Sequence, residues 1–196
     1  MQRPLKLSSW NLRSCIRRSW RDFLVHAGGV AAIEFALVVP LVIIVYAGGF
    51  ELVQAATVNR KLTDTTVQLA NVTTQYTSVA ASSDLSNIFA ASSQIMAPYP
   101  TSSLTIVLSE VQTDASSHAK VAWSQGYGGA ACLPAGSAVA MPAGFASPSS
   151  YYILVQTTYS YAPTIGSAFV HTIPMTDQIF MVPRQSTSIP ATGTSC

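Results

Sequence analysis

The sequence predicts an α+β protein, in which an N-terminal transmembrane helix continues into a helix packed on a small antiparallel sheet. Residues 30–50 form a nearly uncharged apolar run, apolar residues at helical spacing follow it, and residues 151–161 alternate as a strand does. Only 9% of the 196 residues are charged, against about 25% in an ordinary soluble domain. This composition argues against a cytosolic globule, and the net charge of +2 gives no case for nucleic-acid binding.

The apolar run is long enough to span a membrane, because it rises about 31 Å as a helix. Residues 1–29 before it carry six basic side chains and one acid, whereas the next basic residues, Arg60 and Lys61, lie beyond it. The positive-inside rule therefore predicts a single span with a cytoplasmic N-terminus and an extracytoplasmic remainder. A cleaved secretory signal with its apolar core at 35–45 is an alternative, and the long basic leader and Pro40 count against it.

A glycine, an acid, an aromatic residue and a proline mark the start of the apolar run. Glu34 and Phe35 lie five and six residues after Gly29, and Pro40 follows inside the run. In these residues the sequence resembles the GxxxxEF…P signature of TadE/TadG-like pseudopilins, which are minor pilin-like proteins of the Tad (Flp, type IVc) pilus. Glu51 is similar to a second acid that closes the apolar stretch in that family.

The resemblance covers residues 27–60 and implies a pilin-like protein of the bacterial inner membrane that acts in pilus biogenesis and surface adherence. It implies that a prepilin peptidase cleaves between Gly29 and Val30, and that Glu34 contacts the N-terminus of a neighbouring subunit. The implied partners are this peptidase, other pilin-like subunits and the Tad assembly machinery. An uncleaved, membrane-anchored ligand-binding module is the alternative function. Pro40 either shapes subunit packing or is simply tolerated.

After a basic leader (1–29) and the span (30–50), we expect an extracytoplasmic helical region over 51–97 and an antiparallel-sheet domain over 101–196. The predicted helical stripe comprises Leu62, Thr65, Leu69, Val72, Tyr76 and Val79, and a second helix, capped by Asp84, covers 84–96. The predicted strands are 104–112, 118–124, 151–161 and 178–183, with a long Gly- and Pro-rich loop over 125–150.

The sequence contains three cysteines, Cys15, Cys132 and Cys196, of which leader removal would leave two. The compartment outside the inner membrane permits disulfides, so we expect a Cys132–Cys196 bridge, with free thiols or an intermolecular bridge as alternatives. The three histidines stand in unrelated contexts, and no metal-ligand, nucleophile or phosphate-loop spacing occurs. The sequence therefore predicts a structural protein rather than an enzyme, without metal, cofactor or evident small-molecule substrate.

Overall fold

A computed structural model describes residues 27–165 and 171–196 of the chain. The predictions for the leader up to residue 26, including Cys15, lie outside these residues. Helix α1 (Ala27–Thr73) comes first and runs for 47 residues, about 70 Å at the usual rise per residue. The chain divides after Phe50 into two compact units. Within the described residues, the first unit consists of the apolar part of α1 alone.

The part of α1 beyond residue 50 belongs to the second unit and buries one face against the rest of that unit. Leu62 and Leu69 are buried there together with three threonines, Thr65, Thr66 and Thr73. Each threonine hydroxyl donates to the carbonyl oxygen four residues earlier, at 2.7–2.9 Å. Burying these hydroxyls therefore costs little, because each keeps a hydrogen-bond partner. The predicted stripe is confirmed at Leu62, Thr65 and Leu69.

The prediction for the C-terminal end of the helical stripe is wrong. Val72 is 39% exposed, and Tyr76 and Val79 lie beyond the last residue of α1. Val79 instead begins strand β1 (Val79–Ala80), which pairs in parallel with β7 (Ala191–Thr192) near the end of the chain. Its burial therefore comes from a short strand and not from the helix.

Helix α2 (Ser86–Met96) follows a single π-helical turn, Ala81–Leu85. A helix in this region is confirmed, but the role predicted for Asp84 is wrong. The Asp84 carboxylate accepts the backbone N–H of Ala80 at 2.9 Å. Asp84 therefore pairs the backbone N–H just before the π-helical turn, where a helix start leaves such groups without a backbone partner. It does not cap α2, whose start has no side-chain cap hydrogen bond.

Five strands form one antiparallel sheet in the order β4-β3-β2-β5-β6. They are β2 (Leu104–Thr113), β3 (Ala119–Tyr127), β4 (Ala138–Val139), β5 (Tyr151–Tyr161) and β6 (Ile173–Met181). The strands predicted over 104–112, 118–124 and 151–161 are confirmed within a few residues at their ends. Consecutive strands β2 and β3 form a hairpin, whereas β5 inserts next to β2 from the other side.

Two strand predictions need correction. The last strand of the sheet, β6, starts at Ile173 rather than at 178, because it pairs with β5 as far as Tyr161. It is an edge strand with many exposed residues, so its sequence shows little alternation. The predicted loop over 125–150 contains the end of β3 and all of β4, which pairs with the start of β3.

The main core lies between one face of the sheet and the two helices. Its buried residues are Val58, Leu62, Leu69, Ala70, Val79, Leu85, Ile88, Phe89, Met96, Leu104, Ile106, Leu108, Trp123, Ile153, Val155, Tyr159, Tyr161 and Ile189. Because side chains alternate along a strand, Leu154 points to the opposite face, where a smaller cluster includes Val111 and Leu133. The helix on one sheet face and the antiparallel pairing confirm the predicted α+β class.

Candidate functional site

The residues of the predicted processing motif all lie on the first turns of α1. Gly29 and Val30 are helical, and Glu34 and Phe35 follow as exposed residues, with Phe35 71% exposed. Pro40 lies inside α1 without ending it. Since proline has no backbone N–H, it removes one hydrogen bond from the helix at this point.

The surface of α1 between residues 30 and 50 is apolar and almost fully exposed. Only Val39 and Ala47 are half-buried there. The large exposed side chains are Val30, Ile33, Phe35, Leu37, Val38, Leu41, Val42, Ile43, Ile44, Val45, Tyr46 and Phe50. A soluble protein rarely exposes a contiguous apolar patch of more than a few hundred Å². Among the described residues, α1 is the one helix long and apolar enough to cross a membrane.

Glu34 places a carboxylate on this apolar surface. On insertion scales, a charged residue at the centre of a bilayer costs about 2.5–3.5 kcal/mol, and less towards the ends. Residues four apart lie on the same side of a helix, about 6 Å apart along its axis. Val30 and Glu34 are four residues apart. A free amino group at Val30 would therefore place a cation and an anion on one side of an otherwise apolar helix.

Residues 29–80 match the family model of TadE-like proteins. This segment belongs to the TadE-like family. The match starts at Gly29, includes Glu34 and Glu51, and ends with β1. It confirms the resemblance seen in this part of the sequence. TadE-like proteins are a family of pilus components rather than of enzymes, and the apolar helix supports membrane association. Neither curated proteins nor solved structures give a significant match.

The second acid of the TadE-like segment, Glu51, connects α1 to the end of β5. Its Oε2 accepts the phenolic O–H of Tyr161 at 2.9 Å, and its Oε1 accepts the backbone N–H of Ile165. Burial, and next the hydrogen bond to the Glu51 carboxylate, raise the pKa of Tyr161 to about 12. Tyr161 therefore remains a neutral donor at physiological pH, and Glu51 positions the sheet against the helix. The sequence placed Glu51 by resemblance but indicated neither of these partners.

Within the second unit, two further polar contacts join α1 to the residues that follow it. The hydroxyl of Tyr99 donates to the side-chain oxygen of Gln54 at 3.3 Å. The ammonium group of Lys61 donates to the carbonyl oxygen of Ile95 at 3.2 Å, at the end of α2. Lysine near a helix C-terminus is favourable, because it satisfies a carbonyl that the helix leaves open. The contacts therefore extend over several turns of α1 beyond the apolar run.

A buried acid, Glu110, holds the C-terminal segment (residues 182–196) on the sheet. Glu110 is only 3% exposed, and its carboxylate accepts the backbone N–H of Ile189 at 2.6 Å and the indole N–H of Trp123 at 3.1 Å. The same indole N–H lies 2.8 Å from the carbonyl oxygen of Ile189. Burial raises the pKa of Glu110, and these two hydrogen bonds oppose the rise. The network fixes Ile189, which is fully buried in the core.

Sequence reasoning did not single out Glu110, although a signal was present. Glu110 follows Leu104, Ile106 and Leu108 at the inward positions of one strand. An acid at the fourth inward position of an alternating strand must find donors in the core, because burying it unpaired is costly. The pattern therefore indicated a buried hydrogen-bonded acid, but it did not indicate the partners.

The C-terminal segment is bound at both ends. Near its start, the backbone N–H of Arg184 donates to the carbonyl oxygen of Thr74, just after α1, at 2.9 Å, and its guanidinium donates to Asn71 at 3.0 Å. At its end, Cys196 exchanges two backbone hydrogen bonds with Ser124 of β3. The segment thus crosses from the end of α1 to the second strand of the sheet.

In the structure, a disulfide joins Cys196 to Cys132, with a Cα–Cα distance of 6.1 Å. This distance lies within the usual range for disulfides. The bridge closes a loop over a sequence separation of 64 residues. It connects the C-terminal segment to the chain between β3 and β4, which covers the second face of the sheet.

The described residues contain no group of three or more His, Cys, Asp or Glu side chains that could hold a metal ion. His118 pairs with Asp114 at 3.2 Å in the exposed turn between β2 and β3. The backbone N–H of His118 is the main cause that lowers the pKa of Asp114. Because Asp114 also accepts the N–H of Ser116, this acid organises the turn of the hairpin.

Proposed function

We propose that this protein is a minor pilin-like (pseudopilin) component of a Tad-type pilus assembly or secretion system, which acts in pilus biogenesis and surface adherence. One observation carries the proposal: the TadE-like match begins at Gly29, at the point where the exposed apolar surface of α1 also begins. A helix with this surface and a TadE-like sequence fits a subunit that is stored in a membrane and then packs against other subunits.

In this proposal, a prepilin peptidase cleaves between Gly29 and Val30 and removes the basic leader. The six basic residues of the leader hold the N-terminus in the cytoplasm. The second unit then lies outside the inner membrane, where the Cys132–Cys196 disulfide can form. A glycine at the cleavage position supports this step, since the backbone can enter an active site without a side chain.

Cleavage would give Val30 a free α-amino group and make Glu34 the fifth residue of the mature chain. In an apolar environment an unpaired carboxylate and an unpaired ammonium group are both costly. Association of two subunits, which brings the Glu34 carboxylate of one to the amino group of the other, removes both costs together. The pair therefore favours one axial register between subunits, whereas the surrounding apolar side chains favour contact without specifying it.

A pair of variants tests the role of Glu34. Glu34→Gln keeps the size of the side chain but removes its charge, and Asp64→Asn removes an exposed acid further along α1 as a matched control. We expect both variants to insert into the membrane and to be processed. Glu34→Gln should weaken each subunit contact about tenfold, for a loss of about 1.4 kcal/mol. It should therefore reduce pilus number, counted by electron microscopy and in the sheared fraction.

Normal pili in cells that carry Glu34→Gln would contradict the proposed role of the acid. Equal loss in both variants would also contradict it, since charge on α1 in general would then be responsible. If the protein in membranes keeps its leader, the uncleaved membrane-anchored module is the better description.

A further inference from the structure

Strand β6 (Ile173–Met181) forms one edge of the five-stranded sheet and is nine residues long, whereas the strand at the other edge, β4, has two residues. An edge strand presents backbone N–H and C=O groups to which a strand of another chain can add. β6 pairs with β5 in one continuous register along its whole length. Its outer edge is therefore long and regular enough to accept such a strand.

The backbone groups of β6 that point away from the sheet belong to its even-numbered residues. In an antiparallel strand, the backbone groups of successive residues point to opposite sides. The N–H of Thr113, at the end of β2, donates to the carbonyl oxygen of Ser150, just before β5. Carried through the registers of β2 with β5 and of β5 with β6, this bond places the outward groups of β6 on Pro174, Thr176, Gln178 and Phe180. Pro174 has no N–H, which suits an outward position on an edge strand.

The middle one of the three outward N–H groups is occupied from within the strand. The N–H of Gln178 donates to Oδ1 of Asp177 at 2.8 Å. A hydrogen bond to a carboxylate is stronger than one between neutral groups. A strand that adds to β6 has to break this bond and bring its own carbonyl oxygens close to the carboxylate. With Gln178 occupied, an added strand finds no two successive outward donors.

The residues after Asp177 have the composition of a segment that pairs with its own copies. Residues 178–182 read Gln-Ile-Phe-Met-Val, without charge or proline and rich in residues that favour strands. Short segments of this kind self-associate when they lie on an exposed edge. Asp177 is the one charged residue of β6, and Pro183 follows the segment on its other side. The carboxylate therefore lies where it opposes self-pairing most directly.

We infer that Asp177 closes the outer edge of β6 to strand addition by a second copy of this chain. Its carboxylate holds the N–H of Gln178, which an antiparallel pairing across residues 177–181 requires. A second copy is the partner that is excluded, because it brings the same uncharged segment, 178–182. The inference concerns β6 alone and depends neither on leader cleavage nor on pilus assembly.

Three variants of the full chain in detergent micelles test this inference, each with Cys15→Ser to exclude dimers linked through that thiol. Asp177→Ala removes the carboxylate, whereas Asp177→Asn keeps an oxygen that can accept the N–H of Gln178. Asp64→Ala removes an exposed acid of α1 and is the matched control for charge. Hydrogen exchange resolved to single amides reports on Gln178 and Phe180. Sedimentation velocity measures self-association, and near-ultraviolet circular dichroism verifies folding.

In dilute solution, we expect the Gln178 amide to exchange faster in Asp177→Ala than in the parent chain. At higher concentration, Asp177→Ala should dimerise with a dissociation constant about tenfold lower than that of Asp64→Ala, which corresponds to about 1.4 kcal/mol. The dimer should protect the amides of Gln178 and Phe180 from exchange. Asp177→Asn should behave as the parent chain does, because it retains an acceptor.

Equal dissociation constants for Asp177→Ala and Asp64→Ala would overturn the inference. Dimers that leave the Gln178 and Phe180 amides unprotected would also overturn it, since another surface would then be responsible. The same holds if Asp177→Asn dimerises as strongly as Asp177→Ala, because the hydrogen bond would then have no role. Should Asp177→Ala fail to fold, the parent chain decides: a Gln178 amide that exchanges as fast as that of Thr176, after correction for intrinsic rates, contradicts the inference.

Discussion

Replacing Glu110 by glutamine should remove a pH dependence from the stability of the second unit. Burial raises the pKa of Glu110 above its ordinary value of 4.5, although hydrogen bonds from Ile189 and Trp123 oppose the rise. The folded protein therefore retains a proton at a pH at which the unfolded chain has released it. The stabilisation from this proton is complete below about pH 4.5 and is lost as the pH rises through the raised folded-state pKa.

The size of the effect follows from one proton. Between the unfolded-state and folded-state pKa values, the free energy of unfolding should fall by up to about 1.4 kcal/mol per pH unit. Glu110→Gln has no such proton. Its amide oxygen can still accept the N–H of Ile189, but its amide nitrogen cannot accept from Trp123. The lost hydrogen bond changes stability by about 1 kcal/mol at every pH.

The free energy of unfolding of both proteins is measured between pH 4.5 and 8, by urea unfolding of the full chain in detergent micelles. Near-ultraviolet circular dichroism follows the unfolding. The difference in unfolding free energy, wild type minus Glu110→Gln, should decrease as the pH rises and then become constant. Other titrating groups cancel in this difference. Parallel curves for the two proteins would refute the reasoning, because Glu110 would then titrate alike in the folded and unfolded chains.

Two further predictions concern the packing of the second unit. Replacing Cys132 and Cys196 together by serine should lower the free energy of unfolding by about 4 kcal/mol, the chain-entropy value for a loop of this length. Urea unfolding measures this loss. Equal urea midpoints with and without the bridge would contradict the prediction. Leu62→Ala, at a fully buried position of α1, should cost about 2–5 kcal/mol. Leu52→Ala, at a position 73% exposed, is its control, and a similar loss of unfolding free energy in both would show that the buried face of α1 is wrongly assigned.

Local sequence patterns predicted those parts of the fold that depend on residues close together in the chain. The apolar run, the stripe at Leu62 and Leu69, and the alternation along β5 each depend on neighbouring residues in one element. Cys132 and Cys196 were paired by counting cysteines and by compartment, and a disulfide joins them in the structure. The disulfide spans 64 residues and was predicted from the number of cysteines, whereas the other features can be predicted from about twenty consecutive residues or fewer.

Contacts between distant parts of the chain were not predictable in this way. Glu51 meets Tyr161 across 110 residues, and Glu110 meets Ile189 across 79. Val79 looked like a helical position because it continues the spacing of α1, yet it pairs with Ala191. In each case a residue distant in sequence determines the position of the side chain or strand. No local pattern near either residue predicts that contact.

The mature N-terminus is the most direct test of the proposed function. The full chain is produced in cells with the Tad machinery, the envelope fraction is isolated, and N-terminal peptides are identified by mass spectrometry. We predict that the mature chain begins at Val30, and that it carries Glu34 as its fifth residue. A mature chain that begins near Gly48, as a cleaved secretory signal would give, or one that retains the basic residues of the leader, would contradict the account.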